Sequence, residues 1–295
     1  GGPDFRRWPV TQANDSLYWE NLNRAKKSVA LDLGKPEGRE LLQALVRATG
    51  QFITNFPAEG FLAHDKLAEG RADLVTVRVM GWADGSPALD YTVNNAVGYP
   101  MMTGPIPKDG RPEPVNHVLP AWDLLSGAYA AFALMAAIQR RSVSGEGGEV
   151  RIPLSDVAIG TVANLGGLAE VLYTGENRPR LGNAVYGLFG RDFVTAGGVR
   201  TMIVVVTPRQ WSNLLAALGV ADAVAGVEAA RGVSFATAGG LRLARRDALF
   251  PIFEAAVAAR SHADLAAALD AGGVVHSTYR TMLDAAKDPD LVGAN

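Results

Sequence analysis

The chain has 295 residues, of which 48% are hydrophobic and 20% charged, and its formal net charge is −2. These values are typical of a soluble globular protein, and the balanced charge argues against a nucleic-acid-binding surface. The chain contains no cysteine, which excludes disulfides, thiolate catalysis and cysteine-based metal sites. The lack of cysteine also fits a reducing cytosol, and no signal-peptide pattern is present, so we expect a cytoplasmic protein.

No run of residues approaches the ~18 apolar positions that span a bilayer, so we expect no membrane association. The longest apolar stretch, residues 128–138, is followed by Gln139, Arg140 and Arg141, and it predicts a buried helix. The first residues include no initiating methionine, and we expect the chain to begin partway into a longer protein.

Strand and helix patterns alternate along the first part of the chain. Residues 28–33 predict a strand, residues 37–49 a helix with one apolar face, and residues 51–55 and 73–79 two further strands. This alternation is typical of a parallel sheet with helices packed on it.

Longer elements follow in the middle and last parts of the chain. The patterns predict, in order, a helix over 121–140, a strand over 150–153, a helix over 155–172, a loop over 174–190, a strand over 200–206 and then helices to the end. We place the domain boundary at Arg178, which gives a large domain of residues 1–177 and a small domain of residues 178–295.

Several common catalytic motifs are missing from the sequence. There is no phosphate-binding loop, no G-x-S-x-G elbow and no H-E-x-x-H helix. The histidines are far apart along the chain, at His64, His117, His262 and His276, so we expect no metal site. Carboxylates remain as the candidate catalysts.

Asp123 is the candidate that stands out, because it directly precedes the apolar run that begins at Leu124. One interpretation is an N-cap, in which the carboxylate accepts bonds from free N–H groups of the helix. The other is a nucleophile that the helix N-terminus holds ionised, next to donors for an oxyanion. The residues alone leave both interpretations open.

A set of motifs in family order covers nearly the whole chain and resembles the family III CoA-transferases. The matching segments are residues 22–29 (LNRAKKSV), 31–33, 36–39 (PEGR) and 54–57 (TNFP), the spaced block from Asp123 to Gly147, residues 180–183 (RLGN), 279–281 and 288–289. The resemblance implies an α/β fold with a Rossmann-like parallel sheet in the large domain, a smaller α/β domain and an interlocked homodimer. It also implies that relatives begin some tens of residues earlier and extend beyond Asn295.

The resemblance assigns Asp123 as the catalytic nucleophile, which carries an acyl group and then CoA. The substrate is an acyl-CoA, so coenzyme A belongs to the substrate, and no tightly bound cofactor is expected. Along the nucleotide side the resemblance places Leu31, Asn55 and Phe56, with His64 where many relatives carry an arginine. Core packing at strand ends is the alternative for Leu31 and Phe56.

The resemblance also indicates residues of the acyl pocket. These are Asn116, His117, Asn183 and Tyr186. A structural role in a capped turn is the alternative for His117.

Sequence segments that are more specific than the general family motifs narrow the expected reaction. Residues 52–58, 90–94, 102–105, 115–123 and 186–193 are similar to family members that move CoA between the C1 and C4 carboxyls of one mesaconyl group. An intermolecular transferase acting on other acids and a non-catalytic CoA-binding protein are the alternatives.

Two departures from other branches bear on this expectation. Leu89 stands before Asp90 where the family's racemases carry a histidine, and residues 201–212 contain no acid. The acid and base that a racemase needs for proton abstraction are therefore missing at these positions, which disfavours racemase activity.

Residues 185–190 (VYGLFG) replace a glycine-rich flap of other family members, and fewer glycines mean less backbone freedom. We expect this bulkier loop to narrow the pocket and retain the acid; packing of Tyr186 and Phe189 between domains is the alternative.

Overall fold

The computed structural model describes residues 3–106 and 113–293 and has a mixed α/β architecture. Its helices are α1 Leu17–Leu22, α2 Pro36–Thr49, α3 His64–Ala68, α4 Asp90–Ala96, α5 Tyr99–Met102, α6 Ala121–Ser144, α7 Leu154–Asn164, α8 Gly167–Thr174, α9 Pro208–Leu218, α10 Ala221–Arg231, α11 Gly239–Ala244, α12 Arg246–Ala258, α13 His262–Ala271, α14 Met282–Ala286 and α15 Pro289–Val292. Its strands are β1 Gln51–Thr54, β2 Val75–Met80, β3 Gly148–Pro153, β4 Phe189–Val194, β5 Arg200–Val205 and β6 Val275–Thr278.

The chain packs into two compact units. The first comprises Gly1–Val97 and Val118–Gly175, and the second comprises Gly98–His117 and Glu176–Asn295. The break after Gly175 lies close to the boundary proposed from the sequence, but the segment Gly98–His117 packs with the second unit, which no local pattern indicated. The division into domains 1–177 and 178–295 stays a prediction.

The first unit is built on a parallel sheet with the strand order β1-β2-β3. All three strands agree with the sequence patterns, because each contains apolar and β-branched residues; β1 and β2 lead into loops, and β3 continues directly into α7. Helix α6 packs on β2 and β3, where its Ala130 is buried with Val77 and Ile152. A small side chain at Ala130 lets the helix approach the sheet closely.

Residues 28–33 are not a strand, and that prediction was wrong. The segment has no β-ladder partner among the described residues, Leu33 already belongs to a turn, and Val29 is exposed. Alternating apolar residues favour a strand only where a neighbouring strand supplies hydrogen bonds.

Helix α6 is confirmed as a long helix, but the prediction that it is buried was wrong. Only Trp122, Ser126 and Ala130 are buried along its 24 residues, while Phe132, Met135 and Val143 are largely exposed. This helix is long and apolar enough to cross a membrane, a criterion that core helices of soluble proteins also meet. Apolar composition predicts that a surface will be covered, not what covers it.

The predicted helix over 155–172 is two helices, α7 and α8, whose axes differ by 65°. Gly166 separates them with φ 77°, a left-handed conformation that glycine adopts at little cost. A single glycine within an apolar run was too weak a signal to divide the pattern.

The second unit holds an antiparallel sheet with the order β4-β5-β6. Phe189 and Phe193 of β4 are buried against Trp211 and Phe253 in its core. Strand β6 was expected to be helical; its four residues are too few to show an alternating pattern.

Arg180 attaches the segment Gly98–His117 to the second unit. Its buried guanidinium donates to the Met101 carbonyl at 2.9 Å and to the Pro100 carbonyl at 3.0 Å, and it also contacts the Glu113 carbonyl. Bonds to three carbonyls satisfy a cation that would otherwise be costly to bury.

Candidate active site

The connection between α6 and β3 places Asp123 at one edge of the parallel sheet. Only residues 145–147 separate the helix from the strand, and the two pack together, so they run in opposite directions. The start of α6 therefore lies toward the carboxyl ends of the strands. A 24-residue helix is roughly 36 Å long, against about 20 Å for a six-residue strand, so Asp123 projects beyond that edge. Ligands of open α/β sheets bind there.

Asp123 is not the N-cap of α6, which was one of the two interpretations that the residues left open. The N-cap is Pro120, and Asp123 is the third helical residue. An acid at this position commonly reaches back to the N–H of the N-cap residue, but proline has no N–H. Asp123 is exposed, and its carboxylate accepts no hydrogen bond from any described residue.

Asp90, the first residue of α4, bonds the start of α6 instead. Its Oδ2 accepts from the backbone N–H of Trp122 at 2.7 Å and from that of Asp123 at 3.1 Å. Asp90 is 2% exposed, and its Oδ1 is buried with no hydrogen-bond partner among the described residues. Trp122 also donates its indole N–H to Asn94 at 3.2 Å, so α4 and α6 are joined at this point.

The other N–H groups of the first turn are also bonded within the protein. That of Ala121 donates to the Leu119 carbonyl at 2.8 Å, and that of Leu124 to the Pro120 carbonyl at 3.1 Å. The expectation that this helix start offers free donors beside Asp123 was therefore wrong, because the donors already have partners.

The surroundings of Asp123 raise its pKa above the ordinary aspartate value. Partial loss of hydration is the largest cause, the negative charge of Asp90 is the second, and the guanidinium of Arg7 opposes both. Burial and Asp90, and not the helix N-terminus, therefore dominate the shift in the pKa of this carboxylate. A raised pKa makes Asp123 more basic than an ordinary aspartate and therefore a stronger nucleophile once ionised.

The residues predicted to contact CoA all lie in the first unit. Asn55 and Phe56 are exposed and directly follow β1, at the carboxyl edge of the sheet. His64 begins α3 and is held by a 2.9 Å hydrogen bond between its Nδ1 and Thr76 Oγ1 on β2. Leu31 is partly buried in the segment before α2. Their role in binding stays a prediction.

Arg78 fixes the loop that carries Phe56. Its fully buried guanidinium donates to the Phe56 carbonyl at 2.7 Å, to the Pro57 carbonyl at 2.8 Å and to the Leu62 carbonyl at 3.0 Å, and it pairs with Glu149 at 2.7 Å. No local sequence pattern distinguishes Arg78. The arrangement gives the loop after β1 a fixed path across the edge of the sheet.

The residues predicted to line the acyl pocket all lie in the second unit. Asn116 and Asn183 are exposed, and Asn183 hydrogen-bonds Asp192. His117 is partly buried, and its Nδ1 has no hydrogen-bond partner among the described residues. The Arg178 guanidinium lies 4.1 Å from the ring centre of the exposed Tyr186. Their pocket role stays a prediction.

Within the second unit, Asn183 lines a cavity of about 720 Å³ together with Arg191, Arg245 and Phe250. Phe189, in contrast, is fully buried in the core of the unit. Phe189 therefore packs within the second unit and does not line this cavity, and only Tyr186 of that loop keeps a large exposed ring. That the loop narrows the pocket stays a prediction. Among residues 3–106 and 113–293 no group of three histidines or carboxylates is arranged to hold a metal ion.

Asp90 is the main feature of the site that sequence analysis did not assign. The segment 90–94 resembles one branch of the family, but no sequence pattern assigned Asp90 a role beyond its position next to Leu89. The bond between Asp90 and the start of α6 joins positions 32 and 33 residues apart, and no local pattern encodes such a contact.

The whole chain, residues 1–295, matches CoA-transferase family III. The chain therefore belongs to this family of enzymes, whose substrates are CoA esters. It is 43% identical over 296 aligned residues to 2-methylfumaryl-CoA isomerase of Chloroflexus aurantiacus, which covers 98% of this chain and 71% of that protein.

Two further relatives agree with the family assignment. Succinate–glutarate CoA-transferase of Agrobacterium fabrum is 28% identical, over 75% of this chain and 58% of that protein. The crystal structure of a CAIB/BAIF family protein from Brucella suis matches with a TM-score of 0.75 and 26% identity, covering 99% of this chain and 78% of that one. These matches confirm the family resemblance noted in the sequence.

Proposed function

We propose that this protein transfers CoA between the C1 and C4 carboxyls of mesaconyl-CoA, converting 2-methylfumaryl-CoA into 3-methylfumaryl-CoA. The observation that carries the proposal is the exposed carboxylate of Asp123, which no described residue binds, at the edge of the sheet where ligands of such folds lie. The 43% identity to 2-methylfumaryl-CoA isomerase supports this choice of substrate.

In the proposed mechanism, Asp123 attacks the thioester carbonyl, the C–S bond breaks and CoA leaves as a thiolate. The product is a mixed anhydride between Asp123 and the acid. The thiolate then attacks the aspartyl carbonyl, which gives an aspartyl-CoA thioester and frees the first carboxylate of the acid. The carboxylate at the other end attacks the aspartyl carbonyl, the C–S bond breaks, and a second mixed anhydride and CoA thiolate are formed. The thiolate then attacks the acyl carbonyl of this anhydride, which gives the new CoA ester and releases the Asp123 carboxylate unchanged.

The predicted binding residues enter this proposal in two groups. Leu31, Asn55, Phe56 and His64 would contact the CoA moiety. Asn116, His117, Asn183 and Tyr186 would surround the acid, which must remain bound while CoA changes ends. CoA is then the only cofactor-like group required, and it arrives as part of the substrate; we expect the reaction to take place in the cytoplasm.

The test is conversion of 2-methylfumaryl-CoA in the presence of excess isotope-labelled free mesaconate, followed by chromatography and mass spectrometry. We expect 3-methylfumaryl-CoA without label, because the acid is retained between the two half-reactions. Conversion with label in the product would assign intermolecular transfer instead. Binding of the CoA ester without conversion would assign a non-catalytic CoA-binding protein.

We also propose that the chain acts as a homodimer. The exposed face of α6, with Phe132, Met135 and Val143 each more than half accessible, is an apolar surface of the kind that protein interfaces cover. Static light scattering should therefore give twice the mass of the chain.

Phe132→Asp on this face should shift the protein toward monomer, because an ionised side chain resists burial in an interface. Phe132→Leu keeps an apolar side chain and should leave the mass unchanged. A monomeric mass for the unaltered chain at micromolar concentration would contradict the dimer.

A further inference from the structure

Two features of the chain keep the Asp123 carboxylate away from the helix it belongs to. A carboxylate in the first turn of a helix is attracted to the N–H groups there. Pro120 removes the N–H that an acid at the third helical position normally binds. Asp90 Oδ2 occupies the N–H groups of Trp122 and Asp123. The donors that would draw Asp123 back are missing or taken.

Asp90 is unusual for a capping residue. It begins its own helix, α4, yet it bonds the start of a different helix 32 residues further along the chain. It is also almost fully buried, with one oxygen lacking a partner, although burying a polar atom without a hydrogen bond is costly. A capping role alone would be served by an exposed serine or threonine, so the charge of Asp90 calls for a separate reason.

We propose that Asp90 is a positioning residue for the nucleophile: it occupies the donors at the start of α6 and leaves the exposed Asp123 carboxylate free to face the substrate. This inference rests on the proposed function, because it assumes that Asp123 attacks a thioester. It assigns Asp90 a role in setting the reactivity of Asp123, with no contact to the substrate.

The charged groups that act on Asp123 support this role. Asp90 lies on α4, Arg7 lies in the N-terminal segment, and their charges act on Asp123 in opposite directions. The neighbouring Tyr91 donates its hydroxyl to the Val118 carbonyl at 3.1 Å. Burial and the Asp90 charge together outweigh Arg7, so the pKa of Asp123 is raised.

Asp90→Asn tests the charge and retains the geometry, because the amide oxygen can still accept both N–H groups. Removing a negative neighbour favours ionised Asp123 and lowers its pKa. We expect the acidic limb of the pH profile of kcat/KM to move to lower pH, with a loss of turnover at neutral pH of no more than about tenfold. A ¹³C NMR titration of the Asp123 carboxyl should show the same shift without any turnover.

Asp90→Ala tests the hydrogen bonds. The freed N–H groups would attract the Asp123 side chain, so we expect kcat to fall about a hundredfold while KM changes little. If this variant fails to fold, the Asp90→Asn profile and the NMR titration still decide the matter. Asp156→Asn is the matched control, since it removes an exposed acid from the first turn of α7 in the same unit, and it should leave the profile unchanged.

Different results would contradict the two proposals. If Asp90→Asn changes neither the pH of the acidic limb nor the pKa of Asp123 in the NMR titration, the role of Asp90 is overturned, whatever the reaction. Lack of conversion by the unaltered protein would overturn the proposed function, while the NMR titration would still report on the coupling of Asp90 and Asp123.

Discussion

Replacing Asp123 by Asn is expected to reduce CoA transfer by about 10⁴-fold or more, because the change removes the nucleophile itself. An amide at this position keeps the size and shape of the side chain but cannot form the anhydride or the aspartyl-CoA thioester. The measurement is conversion of 2-methylfumaryl-CoA, with mass spectrometry of the peptide that contains residue 123. In the unaltered protein, hydroxylamine added during turnover should convert Asp123 into a hydroxamate.

The fold is expected to survive this substitution. Asp123 accepts no hydrogen bond from the described residues and does not cap α6, so the melting temperature should remain close to that of the unaltered chain. Asp123→Ala guards against activity regained by deamidation of the Asn variant. Near-normal conversion by Asp123→Ala, with no hydroxamate at Asp123 in the unaltered protein, would remove Asp123 from the mechanism.

The activity of the unaltered protein should also depend on pH in a defined direction. Only ionised Asp123 can attack, and its pKa is raised above the ordinary aspartate value by lost hydration and by Asp90. As the pH is lowered, activity should therefore begin to decline at a higher pH than it would with an ordinary aspartate. The Asp90 variants move this limb, whereas the Asp123 variants abolish the activity itself.

The sequence predicted the parts of the fold that depend on local pattern. Strands β1, β2 and β3 were confirmed because each contains a short stretch with apolar, β-branched residues. Residues 28–33 have the same local pattern but are not a strand, since a strand also needs a neighbour that its own residues do not encode. Helix α6 was predicted as a helix but not as an exposed one, because composition does not reveal what covers a surface.

The candidate site was predictable to a similar extent. Asp123 could be selected because family motifs in the expected order surround it, yet its environment could not be derived. Asp90, which bonds the same helix start, is 33 positions away in sequence. Arg78 and Glu149 are separated by 71 positions. Such contacts arise only when the sheet brings distant segments to one edge.

Arg78→Met is expected to destabilise the first unit by about 3 kcal/mol or more, the second large effect that the structure predicts. Arg78 is fully buried, so its loss leaves three backbone carbonyls without their donor. It also removes one of two partners of Glu149, whose side chain is 11% exposed. Breaking a buried ion pair from one side typically costs about 3–5 kcal/mol. Urea unfolding, followed by circular dichroism at neutral pH, measures the change.

Arg151→Met is the matched control, because Arg151 pairs with the same Glu149 at the same 2.7 Å but is 56% exposed. An exposed pair contributes about 1 kcal/mol or less, so this variant should unfold almost as the unaltered chain does. Equal losses for both variants would show that the bonds from Arg78 to the loop at Phe56 add nothing beyond the ion pair.

The stability difference caused by Arg78→Met should also depend on pH. Burial by itself would raise the pKa of Glu149, but the hydrogen bonds from Arg151 and Arg78, together with their positive charges, outweigh it and hold the pKa below the ordinary value. A carboxyl with a lowered pKa stabilises the fold above its unfolded-state pKa, and that contribution is lost as the pH falls through the folded-state pKa. The difference in unfolding free energy between Arg78→Met and the unaltered chain should therefore narrow in acid, because protonated Glu149 no longer pairs with Arg78. The part that remains in acid measures the bonds to the carbonyls of Phe56, Pro57 and Leu62, which do not titrate, and so measures how firmly Arg78 holds the loop proposed to receive CoA.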